Sequence, residues 1–542
     1  MSRRQCNARP KILGNLNRYV RHPSQILARS GGKGWDYVHN DKHLAVKTVA
    51  ALLVGTFVTF VLLAMVPSGK AIPAFSRKYQ TSCTTCHNNY PELNDFGLAF
   101  KKNGFKFPTD DDTFVKQEPV LLGSKAQKEA FPGAVYPGEI PGTIPIAFRY
   151  EGNFNWNSNQ PQPVQAVGYI PRTDLFVPNT FTIISAGSFG PNFSFWIDDD
   201  ISAGGSGANG GLGDGWLKYN DLGHVFHLPK NALNVRYGQF ELDLPFTQAR
   251  TPYLSGYDVF GEGALAQQSC SGSTPPNPCQ TVNNSFILGA PQRGIEFGGY
   301  PNNGNFIWDV AIVDGTGSAY GGTTALVTRN TKDVYVRASY QFNLERDPDS
   351  RHAIQAAGAT GPHDHTSIRV GGFYYHGKNQ QNFGGSSFGS VGLTNTLNEP
   401  FYLVGGDVRF RYRNKLEIYG VGLVSHNDNH YLTVDSTGAG TFTNAHAVTS
   451  TGGFVAGNYW IYPWLIATMR YDFVNSPSDY WNGASQSRTR NDFRPGYQIL
   501  VRANIKVVGE YTRHWGVPYQ DAAGNTLYYR PNSFVTGIDY VF

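Results

Sequence analysis

Long apolar runs are scarce in this chain of 542 residues: only Val49–Val66, with eighteen uncharged residues, could cross a bilayer as a helix. This scarcity excludes a membrane protein built from many helices. Charge is also scarce, since Asp, Glu, Lys and Arg make up 16% of the residues, and there are only 3 Met. Aromatic residues and glycine are abundant instead, with 31 Tyr, 35 Phe, 9 Trp and 62 Gly. This composition is typical of an outer-membrane β-barrel, whose strands alternate lipid-facing and water-facing side chains.

The net positive charge of the chain comes from residues 1–71. That segment holds 11 Lys or Arg and 2 Asp or Glu, so the rest of the chain carries −4 although the whole carries +5. The basic balance therefore gives no argument for a nucleic-acid partner. Lys42 and Lys47 precede the apolar run, and Gly69 and Ala71 follow it in a small-x-small pattern. Residues 1–71 are predicted to be an export signal, with an uncleaved anchor helix as the alternative.

The segment after this leader contains a C-x-x-C-H motif, formed by Cys83, Cys86 and His87. Two thiols on one turn can each add to a vinyl group of haem, and the histidine is then placed to ligate the iron. A redox dithiol usually needs a thioredoxin-like context, which the sequence lacks. A zinc site would need two more ligands, and no Cys or His occurs between His87 and His224. The sequence predicts one covalent haem c held by these three residues.

A helix is predicted directly after the motif. Asn89 or Tyr90 can cap it, Pro91 suits its first position, and Asn103-Gly104 ends it. The apolar residues that recur at helical spacing, and that would cover a haem face, are Leu93, Phe96 and Phe100.

The second axial ligand of the iron stays open. No Met or His occurs between Asn88 and Gly223, and Met469, the only Met after the leader, falls on an apolar strand face that should meet lipid. A histidine of a barrel wall such as His514, an unusual group, or a five-coordinate iron are the remaining possibilities.

From residue 144 onward, short segments of alternating apolar and polar residues are separated by Gly, Asn, Asp and Ser. The pattern predicts sixteen antiparallel strands that close into a barrel. Their predicted positions are 144–156, 176–187, 191–202, 214–221, 233–245, 285–300, 305–313, 331–343, 366–376, 400–412, 415–426, 452–462, 463–474, 493–502, 504–514 and 529–542. The last segment resembles the C-terminal strand that outer-membrane assembly machinery recognises, because aromatic and aliphatic residues alternate up to Phe542.

The chain is therefore predicted to be mainly β, with a small α-helical haem domain over 72–130, a Pro/Gly linker over 131–143 and a barrel over 144–542. The haem domain should lie in the periplasm or inside the barrel lumen. Eight charged residues are predicted to point inward, where they could tune ion selection or simply wet the lumen. They are Arg149, Asp198, Asp200, Arg337, Asp407, Arg409, Arg411 and Arg470.

Three loops carry further candidate sites. Cys270 and Cys279 lie in the longest predicted loop and are expected to form a disulfide, since an exported chain meets an oxidising compartment. His426, Asp428 and His430 share a predicted outer loop and could bind iron transiently, although such clusters are more often merely solvated. His363–His365 form a similar cluster on the predicted periplasmic side.

The segment Phe75–His87, together with Tyr90–Lys101, resembles the fused cytochrome–porin family of iron-oxidising bacteria. The resemblance is specific over roughly residues 73–105 and only architectural beyond them. It implies a monohaem domain joined to a porin-like barrel in the cell outer membrane, with Cys83 and Cys86 as haem attachments and His87 as axial ligand. Some members of this family oxidise extracellular Fe(II), which would make this chain an oxidoreductase with a cytochrome as acceptor.

Two functions fit these expectations. In the first, electrons pass from an extracellular donor, foremost Fe(II), to a periplasmic c-type cytochrome or copper protein; the same parts run backwards would export electrons to an extracellular acceptor. In the second, the barrel is a solute channel whose haem plug is structural or a redox gate. No nucleophile triad, phosphate-binding loop or zinc-protease motif occurs in a suitable context.

Overall fold

The wall of the protein is a closed barrel of sixteen antiparallel strands, which confirms the predicted number and topology. Each strand pairs with its neighbours in the chain, and the last strand closes the barrel on the first. Closure leaves no unpaired strand edge, so the backbone groups of the wall are satisfied even in lipid. The strands are β1 Ile146–Asn157, β2 Thr173–Phe189, β3 Phe193–Ser202, β4 Gly211–Tyr219, β5 Asn234–Phe240, β6 Gln292–Gly299, β7 Phe306–Val313, β8 Asp333–Asn343, β9 Ser367–Asn382, β10 Thr396–Tyr412, β11 Leu416–Asn427, β12 Val448–Tyr462, β13 Leu465–Asn475, β14 Arg490–Arg502, β15 Ile505–Gly516 and β16 Ser533–Val541.

The computed structural model describes residues 74–542 with gaps at 109–110, 117–119, 122–124, 134–138, 141, 143, 159–171, 191, 203–210, 247–250, 261–287, 302–303, 316–331, 345–365, 383–395, 429–432, 435–439, 442–446, 476–489, 517–518, 521–525 and 529–530. The predicted export signal, the Cys270–Cys279 disulfide, His430 and the His363–His365 cluster lie outside the described residues. Within the described part of the chain, no helix is long and apolar enough to span a membrane.

The alternation of side chains along each strand separates an apolar outer surface from a charged interior. On β13, Met469 and Tyr471 are 54% and 42% exposed, whereas Arg470 and Asp472 between them are buried. The predicted outward position of Met469 is therefore confirmed. Exposed aromatic rings such as Tyr462 also occur beside the tight turns. Apolar and aromatic residues outside, with charges inside, are what a barrel in lipid requires.

The two ends of the barrel differ in their connections. At one end, which we call the short-turn end, β10 and β11 are joined by residues 413–415 and β14 and β15 by residues 503–504. At the other, the long-loop end, residues 241–291 separate β5 from β6. In outer-membrane barrels short turns face the periplasm and longer loops face outward. The connection 344–366 departs from this rule, because it joins β8 to β9 at the short-turn end.

Strands β5 and β6 are shorter than the predicted 233–245 and 285–300. After Phe240 the chain leaves the wall and turns into the lumen, where Leu242 and Leu244 are buried. Pro245 follows, and a proline cannot donate to a strand ladder. We call the described residues 241–246 and 251–260 the inward loop. Strands β9 and β10, in contrast, extend further at the long-loop end than predicted.

Residues 74–116, which we call the lumen segment, precede the barrel. They contain helices α1 Ala74–Tyr79, α2 Asp95–Lys102 and α3 Asp111–Phe114, a 3-10 turn Cys83–Thr85, and a small hairpin of His87–Asn89 with Glu92–Leu93. Its apolar side chains and those of the barrel wall form one buried cluster, in which Phe105 lies 6.0 Å from Trp216 between ring centroids. The smaller elements are α4 Lys125–Ala130, a 3-10 turn Leu222–Phe226, and the strand pairs Val120–Leu121 with Glu139–Ile140, Thr433–Val434 with Gly440–Thr441, and Tyr519–Gln520 with Thr526–Tyr528.

Helix α2 begins later than predicted and ends where predicted. Asn94 caps its first turn, accepting a hydrogen bond from the backbone N–H of Gly97 at 2.8 Å. Pro91 lies instead in the turn of the hairpin, because His87 pairs with Leu93. A residue pairing in a hairpin cannot also start a helix, so the prediction of a cap at Asn89 or Tyr90 was wrong. The helix ends at Lys102, just before Asn103 and Gly104.

Candidate functional site

The C-x-x-C-H motif lies on a compact turn of the lumen segment. Ser82 caps the 3-10 turn, and its hydroxyl accepts from the backbone N–H of Thr84 at 3.4 Å. Cys83 and Cys86 are both half-buried free cysteines, so neither is spent on a disulfide. Burial raises the pKa of Cys83 and raises that of Cys86 to about 12. The turn therefore presents two neutral thiols, whereas a redox dithiol depends on a stabilised thiolate.

His87 has one ring nitrogen committed to the backbone. Its Nδ1 lies 3.2 Å from the carbonyl oxygen of Pro91 and 3.2 Å from that of Glu92. A proton on Nδ1 donated to these carbonyls fixes the tautomer in which Nε2 carries the free lone pair. Burial lowers the pKa of His87 to about 4, which keeps the ring neutral, the form that ligates metal. Cys83, Cys86 and His87 thus fit the demands of a covalently bound haem.

The start of helix α2 packs directly against the C-x-x-C-H motif. The backbone N–H of Asn94 donates to the carbonyl oxygen of Cys86 at 3.0 Å, and its side-chain amide donates to that of Thr85 at 3.0 Å. At Gly97 a Cβ atom would stand 2.1 Å from the Cys86 carbonyl oxygen. Only glycine permits this approach, so the helix and the motif turn form one unit.

Ion pairs tie the lumen segment to the barrel wall. Asp95 accepts from Arg409 at 3.1 Å, from Arg411 at 3.2 Å and from Gln341 at 2.9 Å. Arg411 also lies 3.5 Å from Glu92. Two of the predicted inward arginines therefore bind the segment rather than line open water.

A second group of anchors holds the other end of α2. Lys102 pairs with Asp309 at 3.1 Å and with Asp243 of the inward loop at 3.3 Å. Lys218 donates to the Lys102 carbonyl oxygen at 2.8 Å. Around these residues lies a cavity of about 30 Å³, room for a water molecule or two. The helix is thus fixed at both ends to different parts of the wall.

The remaining inward charges pair within the wall or with the inward loop. Arg337 bonds to Asp407 at 2.6 Å. Arg149 bonds to Asp539 through two contacts of 3.0 Å. Arg470 binds Asp472 at 2.7 Å and donates to backbone carbonyls of the inward loop.

Asp200 is exposed, and Asp198 is half-buried. Asp198 accepts from the backbone N–H of Asp214, and Asp200 accepts from the Thr182 hydroxyl. Asp200 points inward, because it pairs with Thr182 and Thr182 pairs with Arg149. Asp200 lies two residues before the long-loop end of β3, so its exposed carboxylate faces water at that end of the lumen.

The structure does not bring His514 to His87. Nδ1 of His514 bonds to Asp492 at 2.6 Å near the long-loop end of β15. His87 lies by the other end, because the neighbouring Tyr90 carbonyl accepts from Lys506 at 2.6 Å. His514 lies eight positions after Lys506, which is roughly 27 Å along a strand.

His426 and Asp428 lie together, with 3.5 Å between Nε2 and Oδ1, but Nδ1 of His426 bonds to Thr449 at 2.8 Å. Their proposed partner His430 lies outside the described residues. Within the part of the chain that the structure describes, no three His, Cys, Asp or Glu residues are grouped so as to hold a metal ion.

The inward loop was missed by the sequence prediction, although it completes the site. Its backbone N–H of Leu254 donates to Glu510 at 2.5 Å, and the Tyr257 and Tyr419 hydroxyls lie 3.2 Å apart. The available signal was Pro245, which interrupts the apolar alternation that follows Phe240.

No family model matches the chain, and no curated protein matches it. Outer-membrane porins and other outer-membrane proteins are among the solved structures that resemble it. The channel DcaP of Acinetobacter baumannii is 13% identical with a TM-score of 0.41, and the match covers 73% of this chain and 96% of that one. The anion-selective porin from Comamonas acidovorans is 10% identical with a TM-score of 0.42, and the match covers 73% of this chain and 98% of that one. OmpT of Vibrio cholerae is 11% identical with a TM-score of 0.38, and the match covers 78% of this chain and 100% of that one.

Proposed function

We propose that this chain is an outer-membrane electron-transfer protein that holds one haem c inside its barrel. The observation that carries the proposal is the position of the motif: Cys83, Cys86 and His87 belong to a segment that ion pairs fix to the inner wall. The bound group would supply a one-electron Fe(III)/Fe(II) couple. The chain itself supplies attachment, an oriented histidine and exclusion of bulk water.

An outer-membrane location follows from the wall. Its strands are closed and antiparallel, its outward side chains are apolar and aromatic, and its charges point inward. Electrons crossing such a membrane need a carrier that is itself held within the protein.

The filled lumen supports electron transfer over free diffusion of solutes. On the β8–β15 side nearly every inward side chain is buried, and Arg470, Asp472 and Asp492 are fully so. A water-filled pore would leave such charges accessible to solvent. The lumen segment and the inward loop occupy that space instead.

The position of the motif near the short-turn end of the barrel supports electron exchange with a periplasmic partner. Lys506 and Arg411, which contact the lumen segment, both lie within two residues of the short-turn ends of their strands. A c-type cytochrome or copper protein docking at that end would come close to the motif. The donor at the far end is foremost Fe(II), which gives up one electron as a single haem accepts one. The same parts would serve outward flow to an extracellular acceptor.

The test is stopped-flow visible spectroscopy of the detergent-solubilised protein mixed with Fe(II). Rapid growth of the sharp bands of reduced haem c is expected, together with their loss in Cys83→Ala and Cys86→Ala. A protein that stays oxidised with Fe(II) but is reduced by dithionite would exclude Fe(II) as donor and leave outward flow. A wild-type protein without covalent haem would overturn the proposal.

A solute channel is the second candidate, and it needs nothing beyond the barrel itself. The exposed inward carboxylate of Asp200 favours it, because this side chain meets water at the long-loop end of the lumen. Reconstitution into a planar bilayer separates the two functions. Steady ionic conductance of the wild-type protein would support a channel, whereas a closed barrel that still exchanges electrons would support the haem conduit.

A further inference from the structure

Lys506 is a buried ammonium at the short-turn end of β15. Its Nζ donates to the carbonyl oxygen of Tyr90 at 2.6 Å and to that of Pro252 at 3.1 Å, and it lies 3.3 Å from Asp539. Only 4% of its side chain is exposed. A buried charge persists only where partners replace water, and these three do so from the lumen segment, the inward loop and the wall.

The carbonyl that Lys506 binds belongs to the turn that orients His87. Tyr90 immediately precedes Pro91 and Glu92, whose carbonyls accept from Nδ1 of His87. The rings of His87 and Tyr90 are 5.1 Å apart between centroids. Whatever fixes the Tyr90 carbonyl therefore also fixes the histidine's acceptors.

A second cation, Arg149, contacts the same turn. The guanidinium of Arg149 lies 5.6 Å over the Tyr90 ring, and it bonds to the same Asp539 that faces Lys506. These three wall residues belong to β1, β15 and β16, the strands on which the barrel closes. The closing seam thus presents two cations and one carboxylate to the turn.

We propose that Lys506 is a positioning residue for His87, fixing the turn at residues 90–92 and adding a positive charge next to the turn that orients this histidine. The inference rests on the proposed function. A nearby positive charge disfavours Fe(III), the more positive state, so it raises the reduction potential. Lys506 would therefore set both the orientation of the axial histidine and the potential of the centre.

The experiment compares the wild type with Lys506→Met, Lys506→Arg and a matched control, Lys218→Met. Lys218 is also a buried lysine that donates to a lumen-segment carbonyl, but that carbonyl belongs to Lys102. Haem content is measured by the pyridine haemochrome assay and the midpoint potential by optical redox titration. Lys506→Met is expected to lower the potential by a tenfold change in the Fe(III)/Fe(II) equilibrium, about 59 mV for one electron. Lys506→Arg should retain most of the wild-type midpoint potential, and Lys218→Met should leave that potential unchanged.

Lys506→Gln keeps a hydrogen-bond donor without the charge, and it serves if the methionine variant does not assemble; the same lowering is expected. Haem-loaded Lys506→Met or Lys506→Gln with an unchanged potential would overturn the inference and leave the proposed function standing. An equal shift in Lys218→Met would overturn it too, because any buried lysine would then suffice. A wild-type protein without haem would instead overturn the proposed function, and the inference with it.

Discussion

Asp95 of helix α2 and Arg411 of strand β10 form an ion pair inside the barrel, with 3.2 Å between Oδ1 and Nη1. Each has a further partner: Asp95 also pairs with Arg409, whereas Arg411 also pairs with Glu417. The pair joins the segment that carries the C-x-x-C-H motif to the wall that encloses it. Its strength decides how firmly that segment is seated.

Removal of the Asp95 carboxylate should loosen the segment. In Asp95→Ala the two arginines lose a buried partner, and one broken buried pair costs about 3 kcal/mol. Unfolding in urea, followed by tryptophan fluorescence in detergent, measures the free energy of unfolding. Asp200→Asn is the control, because this inward carboxylate is exposed and should cost less than about 1 kcal/mol. Equal losses in both variants would contradict the anchoring role of Asp95.

The close contact at Gly97 should make the motif sensitive to one methyl group. In Gly97→Ala the new Cβ would meet the Cys86 carbonyl oxygen, and overpacking of this kind costs about 1–3 kcal/mol. Haem incorporation per chain, measured by the pyridine haemochrome assay, should fall. Gly133→Ala provides a matched control, since a Cβ there meets nothing within 4 Å. Full haem content in Gly97→Ala would show that the helix and the motif turn can separate.

His514 should be dispensable for the haem. It bonds to Asp492 near the long-loop end, and the strand geometry keeps it away from His87. His514→Ala is therefore expected to keep the visible spectrum and midpoint potential of the wild type, while His87→Ala loses the wild-type haem c spectrum. A spectral change in His514→Ala would mean that the histidine reaches the iron after all.

Loss of the anchors at both ends of α2 should open the lumen. The double variant Asp95→Ala/Lys102→Ala removes the pairs to Arg411 and Asp309. Single-channel recordings in planar bilayers are expected to show conductance severalfold above that of the wild type. Met469→Leu, a change on the lipid-facing side, should leave the conductance unchanged. A double variant as closed as the wild type would show that the inward loop alone blocks passage.

The barrel could be predicted from the sequence because its signal is local. A period of two residues fixes which side chains face outward, as at Met469, and Gly104 after Lys102 marks the end of α2. The start of α2 was misjudged because Pro91 suits both a first helical turn and a hairpin turn. The inward loop was hidden because Leu242 and Leu244 continue the alternation of β5.

The partners inside the lumen had no sequence signal at all. Asp95 and Arg411 are 316 positions apart, and Asn89 and Gln498 are 409 apart. Each is an ordinary polar residue in its own surroundings. Only the closed wall shows that they meet, so the predicted inward charges could be assigned to a face but not to a partner.

The closure of β16 on β1 sets an order of events for making this protein. The lumen segment comes near the beginning of the chain, yet Asp539, which pairs with both Arg149 and Lys506 beside Tyr90, belongs to the strand made last. The contacts that Asp539 makes beside Tyr90 therefore form only when the last strand is in place against the first. A chain that stops short of β16 would lack Asp539, the carboxylate that both cations beside Tyr90 share.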